Sequence, residues 1–191
     1  TLPSFAHMWI ACVETTLFAM AGISALVLLA KKRSEEHRAF FLHTFKYVLV
    51  IAIVVAPLQL IIGDALGLVV SRYQPEKLAA MELHWDANLP AQGAPWSVVA
   101  WPNSTNNGNA FDIQVPNVLS LLITHSPTGR VEGLNDFAPA DRPSAVEAAL
   151  TFYAFRVMLA IGVFMIALAA LGIWFWYKGR LTLAAISKHR T

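Results

Sequence analysis

The stretch that decides the fold is VMLAIGVFMIALAALGIWFWY, residues 157–177, which contains no charged residue. A helix of roughly 20 apolar residues is long enough to cross the hydrocarbon core of a bilayer. The stretch therefore predicts a membrane-spanning helix, which we place at approximately 147–177.

Two further apolar stretches precede it. Residues 5–30 carry Glu14 as their one carboxylate, and residues 45–70 carry charge only near their ends. Pro57 interrupts the second stretch, but such breaks are tolerated in membrane helices. Charged residues make up only 14% of the chain, whereas a soluble domain usually has about a quarter. We predict an all-α membrane protein with three transmembrane helices and a long outer-face loop between the second and third.

The distribution of basic residues gives the orientation, because cytoplasmic flanks of membrane helices collect Lys and Arg. The inner connector at 31–44 and the tail after the third helix are basic at Lys31, Lys32, Arg33, Arg38, Lys178, Arg180, Lys188 and Arg190. The loop at 72–146 has four basic and seven acidic residues. We therefore expect the connector and the tail inside and this loop outside.

Other features of the sequence exclude some classes of function. A single cysteine allows no disulfide framework within the chain. A net charge of +2 is too small to indicate nucleic-acid binding. The chain begins with Thr, and its first apolar stretch is too long for a signal peptide. We expect it to be a segment of a longer protein.

Three side chains near the predicted outer boundary have the chemistry of a haem site. His7 and Met158 share a depth in the membrane, and imidazole with thioether is a known axial pair for haem iron. Arg156 is a buried cation that needs an anion, and a haem propionate would serve. Each residue also has an ordinary explanation: interfacial hydrogen bonding for His7, packing for Met158, and snorkelling for Arg156.

The remaining candidates are an intramembrane carboxylate and a short helix at the start of the loop. Glu14 suits proton movement or a polar pair with a neighbouring helix. Pro75 favours the first turn of a helix. On that helix Lys77 and Glu82 would be about 140° apart, so both reach one small ligand only if it straddles the helix edge. The alternative is a solvated amphipathic helix on the membrane surface.

Several segments resemble subunit I of the cytochrome bd-type quinol oxidases, and they occur in the same order. The helix that begins FAHMWIACVETTLFAMAGISALVLL is similar to the family's helix with a haem-ligating histidine. The loop and third helix carry GDALGLVV, QPEKLAAMELHW, FDIQVPNVLSLL and FYAFRVM. The similarity covers essentially all 191 residues, and KLAAME and FRVM are its specific parts.

The resemblance implies a part of a membrane terminal oxidase that oxidises quinol at the outer face and reduces dioxygen to water. By that resemblance, His7 and Met158 match the iron ligands of the low-spin haem b, and Arg156 matches the arginine beside it. Lys77 and Glu82 match the residues associated with quinol oxidation, in a loop of the short type. Glu14 matches no family role.

The family also carries a high-spin haem b and a haem d, whose ligands we do not find in this sequence. The resemblance therefore implies the quinol end of the enzyme, with the remainder of subunit I, subunit II and small subunits as partners. It implies a multi-pass protein of the bacterial cytoplasmic (inner) membrane, with residues 72–146 on the periplasmic face, in contact with lipid and quinol. Two alternatives stay open: a short membrane b-type cytochrome, and a haem-free structural membrane subunit.

Overall fold

A computed structural model describes residues 1–30, 33–103 and 107–188. Lys31, Lys32 and Arg190, which contributed to the predicted orientation, lie outside the described residues. The helices are α1 (Leu2–Leu29), α2 (Glu35–Tyr73), α3 (Pro75–Glu82), α4 (Val118–Thr124), α5 (Ala145–Tyr177) and α6 (Leu183–Lys188). The strands are β1 (Trp96–Asn103) and β2 (Gly108–Val115), and a 3-10 helix covers Leu134–Asp136.

Within the described residues, α1, α2 and α5 are long and apolar enough to cross a membrane. This confirms the predicted helical membrane architecture. Helix α2 starts ten residues earlier than the predicted 45, and it runs without a break through Pro57. The difference arises because residues 35–44 were assigned to the connector by their charge, whereas Glu35 and Glu36 favour the positive N-terminal end of a helix.

The chain forms two compact units. The first comprises Thr1–Gly63 and the chain from Ile161 onward, and the second comprises Asp64–Ala160. In the first unit, a Cβ added at Gly172 of α5 would lie 2.5 Å from a methyl group of Leu49 on α2. Glycine therefore allows these two helices to approach closely.

The outer surface of the first unit is apolar, which suits lipid or neighbouring membrane protein. Many large apolar side chains of its helices are exposed, including those of Leu26, Leu29, Val54 and Ile61. Arg38, which the sequence analysis assigned to the inner connector, is buried within α2. Its Nε and Nη2 have no hydrogen-bond partner.

The second unit contains a small folded core that the sequence did not predict. Its strands β1 and β2 pair antiparallel, with Trp101 opposite Phe111, and the register shifts twice along the hairpin. The buried core joins residues from α3, β1, the 3-10 helix and α5: Ala79, Ala80, Leu83, Trp85, Ala100, Leu134, Ala148 and Phe152. The loop of the predicted all-α protein is thus a helix-and-hairpin structure.

The hairpin has a local cause that the total apolar content concealed. Both strands are rich in β-branched and aromatic residues, as in WSVVAW and FDIQV, and these side chains favour a pleated surface. The sequence between the two strands, STNN at 104–107, has a composition that favours a turn. The apolar segment FDIQVPNVLSLL covers residues 111–122. Its first part belongs to β2, and its second part, from Val118 onward, forms α4.

Candidate functional site: a buried ion pair in the loop unit

Helix α3 places Glu82 in the core of the second unit. Pro75 occupies the start of the helix, and Leu83 ends it in the left-handed conformation, with φ 47°. The N–H of Leu83 donates to the carbonyls of Ala79 and Ala80, which closes the last turn. Glu82 therefore lies on the last turn, and it is only 5% exposed.

The carboxylate of Glu82 forms a buried ion pair with Arg156 of α5. Arg156 Nη2 donates to Glu82 Oε2 at 2.5 Å. Burial raises the pKa of Glu82, and the hydrogen bond and charge of Arg156 oppose that rise. A carboxyl group with a raised pKa is suited to exchange a proton near neutral pH.

The guanidinium of Arg156 is fixed by a carbonyl and by aromatic rings. Its Nε and Nη2 both donate to the carbonyl oxygen of Ser97, at 3.0 and 2.7 Å. Its Cζ lies 4.7 Å from the ring centroid of Trp96, 4.4 Å from that of Phe152 and 5.4 Å from that of Phe155. Its Nη1 is buried and has no hydrogen-bond partner. The cation is thus held in place with one donor still uncommitted.

The hairpin supports this arrangement through a second set of hydrogen bonds. Ser97 Oγ donates to Asp112 Oδ2 at 2.9 Å, and Asn109 Nδ2 donates to the same oxygen at 2.8 Å. Asn109 also accepts a hydrogen bond from the indole Nε1 of Trp85 at 2.8 Å. Since Ser97 holds Arg156, the hairpin and the segment after α3 together set the position of the ion pair.

Lys77 does not lie on the same face of α3 as Glu82. Lys77 is exposed, whereas Glu82 is buried. The separation agrees with the 140° expected for two residues five positions apart on a helix. The structure therefore places these two predicted residues on one short helix without bringing their side chains together.

His7 keeps an uncommitted nitrogen in a confined part of the first unit. Gln59 Nε2 donates to His7 Nε2 at 3.3 Å, while His7 Nδ1 is buried without a partner. A Cβ at Gly63 would lie 3.2 Å from the imidazole Cε1, so glycine leaves the space that the ring occupies. Because Gln59 donates to Nε2, the neutral ring carries its proton on Nδ1, so His7 would bind iron through Nε2 only in place of the Gln59 hydrogen bond.

Met158 and Arg156 project to different sides of α5. Residues two positions apart on a helix point about 200° away from each other. Met158 is 52% exposed, whereas the Arg156 side chain is 10% exposed. The thioether of Met158 is therefore open to a ligand. The anion that Arg156 requires is supplied by Glu82.

Glu14 and His84 are two further titratable groups with a buried atom that lacks a partner. Glu14 is 7% exposed in α1, and its Oε1 accepts no hydrogen bond. His84 follows α3, its Nε2 has no partner, and burial lowers its pKa despite the nearby carboxylates. Asp64, the acidic residue near the end of the second apolar stretch, is exposed.

Sequence reasoning missed Ser97, Trp96, Asn109 and Asp112 as members of the site. They carry ordinary side chains in strands whose existence was not predicted. Their role depends on a cross-strand register that brings Ser97 opposite Gln114 and Ala100 opposite Asp112. A signal was present in the β-branched and aromatic residues of the two strands, but these residues alone do not indicate which of them reaches Arg156.

Comparison with known proteins places the chain in one family. Residues 1–189 match the family model described as cytochrome bd terminal oxidase subunit I. Cytochrome bd-II ubiquinol oxidase subunit 1 of Escherichia coli (strain K12) is 36% identical over 140 residues, which are 73% of this chain and 26% of that protein. Cytochrome bd ubiquinol oxidase subunit 1 of Bacillus subtilis (strain 168) is 28% identical over 201 residues, which are 96% of this chain and 41% of that protein.

A solved structure agrees with this result. The bd oxidase from Geobacillus thermodenitrificans matches with a TM-score of 0.73 and 28% identity, over 97% of this chain and 42% of that chain. The chain thus spans less than half the length of each of these relatives. The resemblance found in the sequence motifs is confirmed: the chain belongs to the cytochrome bd terminal oxidase subunit I family.

Proposed function

We propose that this chain is the quinol-oxidising, low-spin haem b-binding part of a cytochrome bd-type terminal oxidase. The observation that carries the proposal is the buried pair of Glu82 and Arg156, held in the core of the second unit. Subunits of ubiquinol oxidases are among the relatives of the chain. The complete oxidase would pass electrons from quinol toward dioxygen in aerobic respiration.

Glu82 is the proposed acceptor of a proton from the quinol hydroxyl. Oxidation of a quinol removes two electrons and two protons, so a base must be available at the ring oxygen. Burial raises the pKa of Glu82 above the ordinary 4.5, while Arg156 favours the ionised, proton-accepting form. The pair thus provides a base whose pKa is closer to working pH than that of an exposed glutamate.

Lys77 is the proposed partner for the negative charge that develops on the quinol oxygen. Lys77 is exposed and lies about 140° around α3 from Glu82, so a quinol head group that contacts both residues must straddle the helix edge. An ammonium group at that position stabilises an oxygen anion by charge. Lys77 would then stabilise the developing anion, and Glu82 would accept the proton.

His7 and Met158 would hold the iron of the low-spin haem b, and Nη1 of Arg156 would donate to a propionate. The imidazole of His7, confined beside Gly63, and the exposed thioether of Met158 support this assignment. When bound, haem b supplies a one-electron acceptor for quinol oxidation. In the complete subunit we also expect a high-spin haem b and a haem d.

We assign the protein to the bacterial inner membrane, with residues 72–146 on the periplasmic face. The charge distribution of the sequence supports that orientation. Protons taken from quinol would then be released outside, so the reaction separates charge without a pump. The remainder of subunit I, subunit II and small subunits are the proposed partners.

The test is quinol turnover in the assembled oxidase. Glu82→Ala and Lys77→Ala should each lower turnover at least tenfold, since general acid–base catalysis typically contributes 10²–10⁴-fold. Glu76→Ala, on the first turn of the same helix, is the matched control and should retain wild-type turnover. Normal turnover in either test variant would sink the assignment of that residue.

The haem ligands are tested separately by the reduced-minus-oxidised absorption spectrum. His7→Ala and Met158→Ala should each remove the low-spin b-type band while the other haem bands remain. Met165→Ala, a methionine seven residues further along the same helix, is the control and should keep the band. A persisting low-spin band in either ligand variant would end that ligand assignment.

A further inference from the structure

A cavity in the second unit takes no part in the proposed quinol oxidation. It has a volume of about 240 Å³ and is open to the outside. Its apolar wall is formed by Pro75 and Leu78 of α3, Ile123 of α4, and Val131. The residues proposed for quinol oxidation are not among those that line it. The cavity therefore offers a separate apolar surface to a ligand.

The cavity lies at the level where α2 leaves the membrane. Ser71, on the last turn of α2, is one of its lining residues. Helix α2 is long and apolar enough to cross the bilayer, and the lipid head groups occupy the layer just outside the hydrocarbon core. A ligand at this level meets acyl chains on one side and water on the other, so an amphiphile from the membrane suits the position.

Two side chains of opposite charge also line the cavity, and neither is hydrogen-bonded to a described residue. Arg130 lies 3.7 Å from Asp136 in an exposed ion pair, which is too long for a hydrogen bond and adds little stability. Glu132 is exposed and forms no ion pair within the part of the chain that the structure describes. The donors of the guanidinium and the acceptors of the carboxylate are therefore open to a ligand.

The segment that carries these two charges is held by hydrogen bonds on both sides. Asn88 Nδ2 donates to the carbonyl oxygen of Gly129 at 3.1 Å. The N–H of Val131 donates to Asn88 Oδ1 at 2.7 Å, and the side chain of Val131 is buried. Arg130 and Glu132 thus extend from a fixed backbone, so little order has to be imposed on it when a ligand binds.

A phosphate and an ammonium joined in one head group match this pair of charges. The planar guanidinium of Arg130 can bind a phosphate through two parallel hydrogen bonds. The carboxylate of Glu132 repels a purely anionic head group and accepts hydrogen bonds from an ammonium. Quaternary ammonium groups are recognised by aromatic rings, whereas the described residues that line the cavity include none. A primary ammonium, as in phosphatidylethanolamine, therefore fits better than the quaternary ammonium of phosphatidylcholine.

We propose that this cavity binds the head group of phosphatidylethanolamine. Arg130 holds the phosphate, Glu132 accepts from the primary ammonium, and the start of an acyl chain lies against Leu78 and Ile123. The bound lipid contacts α2, α3, α4 and the segment after α4, so it joins these elements at the membrane surface. A free phosphate ion shares the contact with Arg130, but it uses neither the carboxylate nor the apolar wall.

The experiment is photo-crosslinking of the delipidated, assembled oxidase with phosphatidylethanolamine that carries a photoreactive group at the start of an acyl chain. Mass spectrometry of the peptides locates the attachment sites, which we expect on α3 and α4 beside the cavity. Unlabelled phosphatidylethanolamine should compete at least about tenfold more strongly than phosphatidylcholine or phosphatidylglycerol with the same chains, because each of these lacks the ammonium hydrogen bond to Glu132. Inorganic phosphate and a soluble quinol should not compete.

Three substitutions separate the contributions of the two charges. Arg130→Gln should lower crosslinking at the cavity at least about tenfold, as expected for the loss of a charge-assisted hydrogen bond. Glu132→Gln should remove the preference for phosphatidylethanolamine over phosphatidylcholine. Arg72→Gln is the control, because Arg72 lies at the same end of α2 but does not line the cavity. It should keep the wild-type yield and preference.

Several results would overturn the proposal. Equal competition by the three lipids would show unselective contact with the bilayer. Competition by inorganic phosphate would show an anion site, and competition by the quinol would show a quinol site. An unchanged yield in Arg130→Gln, or an unchanged preference in Glu132→Gln, would exclude the assigned contact. The competition series uses the wild-type oxidase, so it decides the question even if a variant does not assemble.

Discussion

Replacement of Arg156 by methionine tests the energetic weight of the buried ion pair. The variant keeps an unbranched side chain among Trp96 and Phe152 but removes the cation that faces Glu82. Removal of one partner from a buried ion pair costs roughly 3–5 kcal/mol, because the other charge remains buried and uncompensated. We expect a loss of this size in the free energy of unfolding of the second unit (Asp64–Ala160) at neutral pH.

The loss should shrink as the pH is lowered. In the variant, burial of Glu82 raises its pKa without opposition from Arg156, so Glu82 binds a proton at a higher pH than in the wild type. Between these two folded-state pKa values, both of which lie above 4.5, the variant binds more protons than the wild type. The difference in stability therefore decreases with acidification in that window, by up to about 1.4 kcal/mol per pH unit.

Tryptophan fluorescence during denaturant unfolding in detergent measures this effect, because Trp85 and Trp96 lie in the core around the pair. The matched control is Arg130→Met, which removes an ion pair with Asp136. That pair is 3.7 Å long with side chains 68% and 33% exposed, so its loss should cost no more than about 1 kcal/mol. An Arg156→Met loss as small as that of the control, or a loss that is equal from pH 5 to 8, would refute the reasoning.

The remaining predictions concern Gly133, which packs against the backbone of Trp85, and His84; both use the same fluorescence assay. Gly133→Ala should destabilise the second unit by about 1–3 kcal/mol, since the new Cβ would lie 2.3 Å from the carbonyl oxygen of Trp85. Gly67→Ala is the control and should not destabilise it, because no atom lies within 4 Å of its Cβ. Equal effects of the two substitutions would contradict this steric argument. The pKa of His84 is lowered by burial, so the unfolded chain binds its proton first, and stability should fall as pH drops below 6.5. His84→Gln should flatten that fall, and an unchanged pH profile would show that other groups cause it.

The membrane architecture could be predicted from the sequence because its cause is local. An apolar segment long enough to span the bilayer must satisfy its backbone hydrogen bonds internally, so it forms a helix whatever its neighbours are. Residues 157–177 meet that condition by composition alone. The family could also be recognised, because KLAAME and FRVM keep their residues in order along the chain.

The start of α2 and the structure of the loop depend on more than composition. Residues 35–44 are charged enough to resemble a connector, yet they continue the helix. The apolar segment 111–122 divides into part of β2 and the start of α4, because its first half finds a partner strand in β1. Strand pairing is a contact between distant residues, so a pattern within one segment does not reveal it.

The sequence by itself determined that this protein has three membrane helices and carries Glu82 and Arg156 as candidate functional residues. Only the tertiary structure decided that the two form one ion pair, although 74 positions separate them along the chain. The carbonyl of Ser97 and the aromatic rings around Arg156 come from different elements and meet only when the hairpin packs on α5. Burial of a charge is costly unless the charge is paired. Which partner is available depends on how distant segments pack together, so no single segment of the sequence determines it.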